Sequence, residues 1–155
     1  MPLNDFALLF YNDILSLYFF SSAFVLIDIL SRASKEDYMS DKKYELIEGT
    51  TNADWPYRIR ALRSFTDYVS CINIKAGDLG GCIQSERNLS QEGSCWVHQD
   101  ATIYDEARVS GDAHVAGQSV IRDCAQVSGN ARIYGSVYVS DHAEVYDFAL
   151  LRDNA

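Results

Sequence analysis

Paired cysteines are missing from this sequence. Its four, Cys71, Cys82, Cys95 and Cys124, are scattered, with no CxxC among them. That removes the usual support for a zinc site, and no metal site is expected. Sparse thiols suit a reducing cytoplasm, where free buried thiols are the default; a Cys82–Cys95 disulfide stays open. Positive charge is also scarce, with 13 Lys and Arg against 22 Asp and Glu, a net charge of −9. Phosphate backbones need Lys and Arg, so nucleic acid is not expected as a partner. The acidity serves solubility, and mimicry of a nucleic-acid backbone is the sharper alternative.

A membrane-length apolar run is lacking too. Residues 6–30, "FALLFYNDILSLYFFSSAFVLIDIL", are strongly apolar, but Asp13 and Asp28 leave only Ile14 to Ile27 uncharged between them. A span needs about 20 residues, so a membrane partner is disfavoured. No basic start precedes the run, which argues against a secretory signal. Met39 opens "MSDKKYELIEGT", which has the character of a natural start. Residues 1–38 are therefore expected to be an apolar extension outside the working protein. A short anchor and a helix covering the rest of the chain are the alternatives.

Catalytic signatures are equally thin. There is no P-loop, no paired-carboxylate motif and no nucleophile beside a base. Histidines number three, His98, His114 and His142.

What is present is a repeat. An aliphatic residue recurs every six positions at Val97, Ile103, Val109, Val115, Ile121, Val127, Ile133, Val139, Val145 and Leu151. Four residues after most of them stands Ala or Ser, from Ala101 to Ala155, with Val137 the exception. Two residues after each comes Gly, Asp or Gln, for example Asp105, Gly111 and Asp123. Helices repeat at 3.6 residues and hairpin sheets at two, so neither uses a period of six. Short strands with a corner at each Gly or Asp do. The pattern resembles the hexapeptide-repeat family, whose fold is a left-handed parallel β-helix with three hexads to a coil. The expected fold class is therefore all-β: such a solenoid of just over three coils at 96–155, preceded by a small N-terminal β cap at 39–95.

Residues 18 apart should then stack at about 4.8 Å, giving inner ladders Val97–Val115–Ile133–Leu151 and Ile103–Ile121–Val139. Three outer faces are expected. One is polar, with Tyr104, Arg108, Arg122, Gln126, Ser140 and Glu144. A mixed one carries Ser110, His114, Ser128, Arg132, Tyr146 and Leu150. The third carries His98, Thr102, Arg152 and an apolar centre of Ala116, Val120, Tyr134 and Tyr138, expected to be covered by this chain or by another subunit.

The cap segment sharpens the resemblance. The run "YRIRALRSF … IKAGDLGGCIQSERNLSQEGSCWVHQDATIYDEARVSGDAHV" is similar to the YdcK-like hexapeptide-repeat proteins of bacteria and their phages, from about Lys43 to Ala155. Two departures stand out. The link "TDYVSCIN" (66–73) is longer than usual, and Cys82 replaces a common aromatic residue. Terminal units of a solenoid must be atypical to cover open strand edges, and Trp96 is placed to close the first coil. The pattern stops at Ala155 without a polar cap, as in a fragment, a truncated gene or an end covered by another subunit.

The resemblance implies a choice of functions. The wider superfamily is known for trimeric acyltransferases using acetyl-CoA or another acyl-CoA, with a histidine at the subunit interface as general base. His98, His114 or His142 would fill that role, with His114 expected to point outward beside Arg132. Such enzymes commonly insert a loop between hexads, and these hexads have none. The favoured expectation is a non-catalytic scaffold without a cofactor, a homo-oligomer (a trimer in one version) or the binder of a protein partner, with the acyltransferase as the alternative. Arg58, Arg60 and Arg63 form a basic cluster whose simplest use is charge balancing. Asp105, Asp123 and Asp141 stack at one corner, better suited to a solvated turn ladder than to calcium.

Overall fold

The structure is a computed structural model that describes residues 25–32, 41–49 and 57–153. The described residues fall into two units, divided after Asp41. The first contributes one helix over 25–32, with an Asp28–Arg32 ion pair at 3.0 Å one turn apart. No helix among the described residues is long and apolar enough to cross a membrane. Most of the apolar run and the Met39 start lie outside the described residues.

The second unit opens with five strands. They are β1 (Tyr44–Glu48), β2 (Tyr57–Ala61), β3 (Phe65–Asp67), β4 (Ile72–Ile74) and β5 (Leu79–Ile83). β1, β2 and β5 pair antiparallel in that order, while β3 and β4 form a separate hairpin. Ile59 faces the core, whereas Arg60 pairs with Glu45 and Arg58 Nε donates to Gly80 O at 2.9 Å. Two of the three clustered arginines are thus occupied within the cap.

The hexads follow as β6 (Trp96–Val97), β7 (Thr102–Ile103), β8 (Arg108–Val109), β9 (His114–Val115), β10 (Val120–Ile121), β11 (Gln126–Val127), β12 (Arg132–Tyr134), β13 (Tyr138–Val139), β14 (Glu144–Val145) and β15 (Leu150–Arg152). They stack in parallel into three sheets, β5-β7-β10-β13, β8-β11-β14 and β6-β9-β12-β15, with the cap strands extending the first. Both expected inner ladders are present. The repeating aliphatics from Val97 to Val145 are buried, as are the small residues from Ala101 to Ala131. Each such Val or Ile contributes about 1.5–3 kcal/mol by leaving water, which makes the coil interior the main stabilising element.

The corners form as the residue types dictate. Asp105, Asp123, Asp141 and Asp147 adopt φ of 57° to 59°, and Gly111, Gly117, Gly129 and Gly135 adopt 66° to 82°. This left-handed region is open to Gly and tolerated by Asp. Of the expected turn residues only Gln99 and Asp153 avoid it among those described. The aspartates also link coils: Asp105 Oδ2 accepts from Asp123 N at 3.4 Å, and Asp123 Oδ2 from Asp141 N at 3.1 Å. All four cysteines are free thiols, so the open Cys82–Cys95 pairing does not form.

Two expectations change. The solenoid has four coils rather than just over three. β5 already pairs in parallel with β7, Ile83 opposite Ile103, and Leu89 bridges Val109. Ile83, Leu89 and Val97 line this first coil, and the stretch between Leu89 and Val97 is two residues longer than a hexad, which hides it. Its extra chain is pinned by buried Lys43, whose Nζ donates to Glu92 O, Gly93 O and Cys95 O at 3.2, 3.4 and 2.9 Å.

The outer faces are also grouped differently. Each flat side carries the residues immediately before and after the inward aliphatic, because the corner falls two residues beyond it. His114 and Ala116 therefore share a sheet with Trp96, His98, Arg132 and Tyr134, while Val120 and Tyr138 belong to the next one. The apolar patch Ala116–Val120–Tyr134–Tyr138 wraps a corner at Gly117 and Gly135 and is not one flat face. Trp96, too, points outward from the first coil and does not plug it.

Candidate functional site

The β3–β4 hairpin lies over the outer face of the β6-β9 sheet. Its Phe65 meets Trp96 edge-on, with ring centroids 5.4 Å apart. Beside this contact Asp67, His98 and His114 converge. His114 stands on β9 and His98 immediately after β6, so adjacent coils bring their rings to 4.4 Å between centroids. Tyr134, one coil further on, lies 4.8 Å from the His114 ring.

Asp67 is fully buried. Its Oδ1 accepts from the backbone N–H groups of Val69 and Ser70 at 3.0 and 3.1 Å, which closes the hairpin turn. This is the Asx geometry expected of an Asp at a turn. It leaves Oδ2 aimed at the imidazoles: His114 Nδ1 is hydrogen-bonded to it, and His98 Nε2 lies at 3.5 Å. Burial pushes the Asp67 carboxyl up, but hydrogen bonds from His114, His98 and the Ser70 N–H outweigh it and hold it well below the usual carboxylate range. An ionised carboxylate only accepts, so His114 Nδ1 carries the proton.

The expected site residues are thus partly brought together. His98 and His114 meet, whereas His142 sits exposed on a distant corner turn. His114 lies outward of its coil beside Arg132, yet the hairpin buries it. His98 keeps 22 % of its side chain exposed. It lines a cleft of about 500 Å³ with Trp96, Gln99, Leu79, Ile72 and Ile74. Asp67 was not among the residues singled out from the sequence. The available signal was the unusually long link at 66–73, which is the hairpin itself.

Chemically, the cluster offers two options. A carboxylate that orients an imidazole at a cleft is the arrangement of a general base. Two imidazole nitrogens and a carboxylate oxygen, all within 4.8 Å of one another, could also hold a metal ion.

No protein-family model matches the chain. Over 65 residues it is 37% identical to a protein of Escherichia coli (strain K12) described as an uncharacterized acetyltransferase, YdcK. That stretch covers 41% of this chain and 18% of the E. coli protein, so the chain spans less than a fifth of that relative's length. The match and the parallel solenoid together fit a YdcK-like hexapeptide-repeat protein.

Proposed function

We propose that this chain is a non-catalytic β-helix scaffold that associates with copies of itself, a trimer being one closed form. The observation that carries this reading is the surface of the last described coil. Tyr138, Tyr146, Phe148 and Leu150 are 70%, 57%, 80% and 52% exposed. Tyr138 lies on β13, Tyr146 just after β14 and Leu150 on β15, with Phe148 between the last two, so large apolar side chains ring this coil, and exposed apolar surface on this scale marks an interaction site. The corner patch of half-buried Ala116, Val120 and Tyr134 runs into Tyr138 and would extend the same interface. No cofactor is needed, and free thiols fit a reducing cytoplasm as the working compartment.

A second reading, acyl transfer from acetyl-CoA or another acyl-CoA, is favoured by two observations. Asp67 orients His98 beside the cleft, and the similar E. coli protein carries an acetyltransferase description. His98 would be the base; buried His114 and isolated His142 are less suited.

Light scattering on the full chain tests both. The scaffold reading expects a mass above the monomer that falls to the monomer in the Tyr138→Ser, Phe148→Ser double variant, with no response to acetyl-CoA. A wild-type chain that stays monomeric at every concentration would overturn it. Stabilisation by acetyl-CoA, lost in His98→Ala, would establish the second reading instead.

A further inference from the structure

We propose that Asp67, His98 and His114 form a binding site for one divalent transition-metal ion, zinc being the best fit. The inference goes beyond the scaffold reading and does not depend on it.

The donor set comes first. Imidazole nitrogens with a carboxylate oxygen suit zinc and its first-row neighbours. His98 Nε2 and Asp67 Oδ2 are 3.5 Å apart. Tetrahedral zinc with bonds of about 2.0–2.1 Å sets its donors roughly 3.3 Å apart, so this edge already has the required length. The third donor, His114 Nδ1, is hydrogen-bonded to the same carboxylate oxygen. An ion would replace that proton and open the contact to the same edge.

Preorganisation is the second point. A ligating carboxylate is normally held by outer hydrogen bonds. Here Val69 and Ser70 N–H hold Asp67 Oδ1, leaving Oδ2 committed to the imidazole side. His114 stands on β9 and His98 immediately after its paired strand β6, so the ladder between adjacent coils sets their spacing.

Charge is the third. Asp67 is buried, and among the described residues the groups within ion-pair distance of it are the two imidazoles, with no Lys or Arg. Burying a carboxylate without a full positive partner is costly. A divalent ion supplies that charge. Access is available through the cleft at His98, from which solvent would complete the coordination.

The test is cobalt(II) titration of the full, chelator-stripped chain, read by visible d–d absorption, followed by displacement with zinc. One equivalent should give the intense bands of a four-coordinate site, and zinc should abolish them. His98→Ala and Asp67→Asn should each lose the bands, whereas His142→Ala should keep them. His98→Ala decides if Asp67→Asn fails to fold, because His98 is the part-exposed member. Absence of bands in the wild-type chain, or bands that survive in folded His98→Ala, would overturn the proposal and leave the cluster as a hydrogen-bonded clasp. Neither result bears on the solution mass, so the scaffold reading stands or falls separately.

Discussion

Asp67 Oδ2 accepts a hydrogen bond from His114 Nδ1, 47 residues further along the chain, and so fastens the β3–β4 hairpin to the solenoid. The same side chain closes the hairpin's turn through Oδ1. One carboxylate thus determines both the shape of the hairpin and where it docks.

Asp67→Ala should therefore act locally and strongly. It leaves His114 Nδ1 buried without an acceptor, a loss of about 3 kcal/mol by the cost of an orphaned buried donor. In chelator, urea unfolding should show this loss. Hydrogen exchange should speed up in β3 and β4 and stay unchanged in β8 and β11. Uniform acceleration across the solenoid would contradict a local clasp.

The corner aspartates make a separable prediction. Asp123 adopts φ of 57° and accepts from Asp141 N. Asp123→Ala keeps a β-carbon in the left-handed region but loses the acceptor and the polar side chain that makes this conformation tolerable to Asp, at a cost of about 1–2 kcal/mol. Asp123→Gly loses the acceptor but relieves the backbone, so it should recover about half of that. Thermal melts of the two variants compare the terms directly. An Ala variant as stable as the Gly variant would mean that the backbone term is negligible.

How much of this was legible in the sequence depends on the range of the interaction. The hexads repeat because each coil corner is a local event, so the inward aliphatics and the turn residues could be assigned one by one. Ile83 and Leu89 already stand six apart in the sequence, but the path from Leu89 to Val97 breaks the period, so the first coil reads as part of the cap. The faces were misgrouped because residues flanking a corner are close in sequence yet lie on different sheets. Asp67 stayed out of sight for a deeper reason. Its partners His98 and His114 are 31 and 47 residues away, and nothing in a linear pattern ties a hairpin turn to the outside of a coil. The same hairpin explains why His114, placed on an outer face, is sealed from water.

Tyr44 gives the alkaline limb of stability. It is fully buried, and its hydroxyl donates to Leu89 O at 2.6 Å. Burial, then the charge of Glu86 and the neighbouring Cys95, raises its hydroxyl well above the ordinary tyrosine range. In the unfolded chain Tyr44 ionises near pH 10, with a pKa of about 10. Its contribution is therefore complete below that pH and is lost progressively above it. Tyr44→Phe should lower stability at neutral pH by about 1 kcal/mol for the lost hydrogen bond. The variant's stability should then fall less steeply above pH 10. Parallel pH profiles for the two proteins would refute the assignment.

Thiol reactivity should follow the cap's packing. Cys71 and Cys124 are exposed, whereas Cys95 is buried under Lys43, whose Nζ lies 3.2 Å from its sulfur. Burial pushes the Cys95 thiol up despite that ammonium. Since only the thiolate reacts, Cys95 is protected twice, by exclusion and by protonation. Cys82 is half-buried, and burial also raises its thiol. Timed alkylation near neutral pH, followed by peptide mapping, should label Cys71 and Cys124 first, then Cys82, and Cys95 only on unfolding. Lys43→Met removes the donor shared by Glu92 O, Gly93 O and Cys95 O, which frees the extra chain of the first coil. Cys95 should then label in the folded protein, ahead of global unfolding. If it remained as slow as in the wild type, the loop would be held by the Gln91 contacts to Lys43 N and to Tyr44 N and O, and Lys43 would merely fill space.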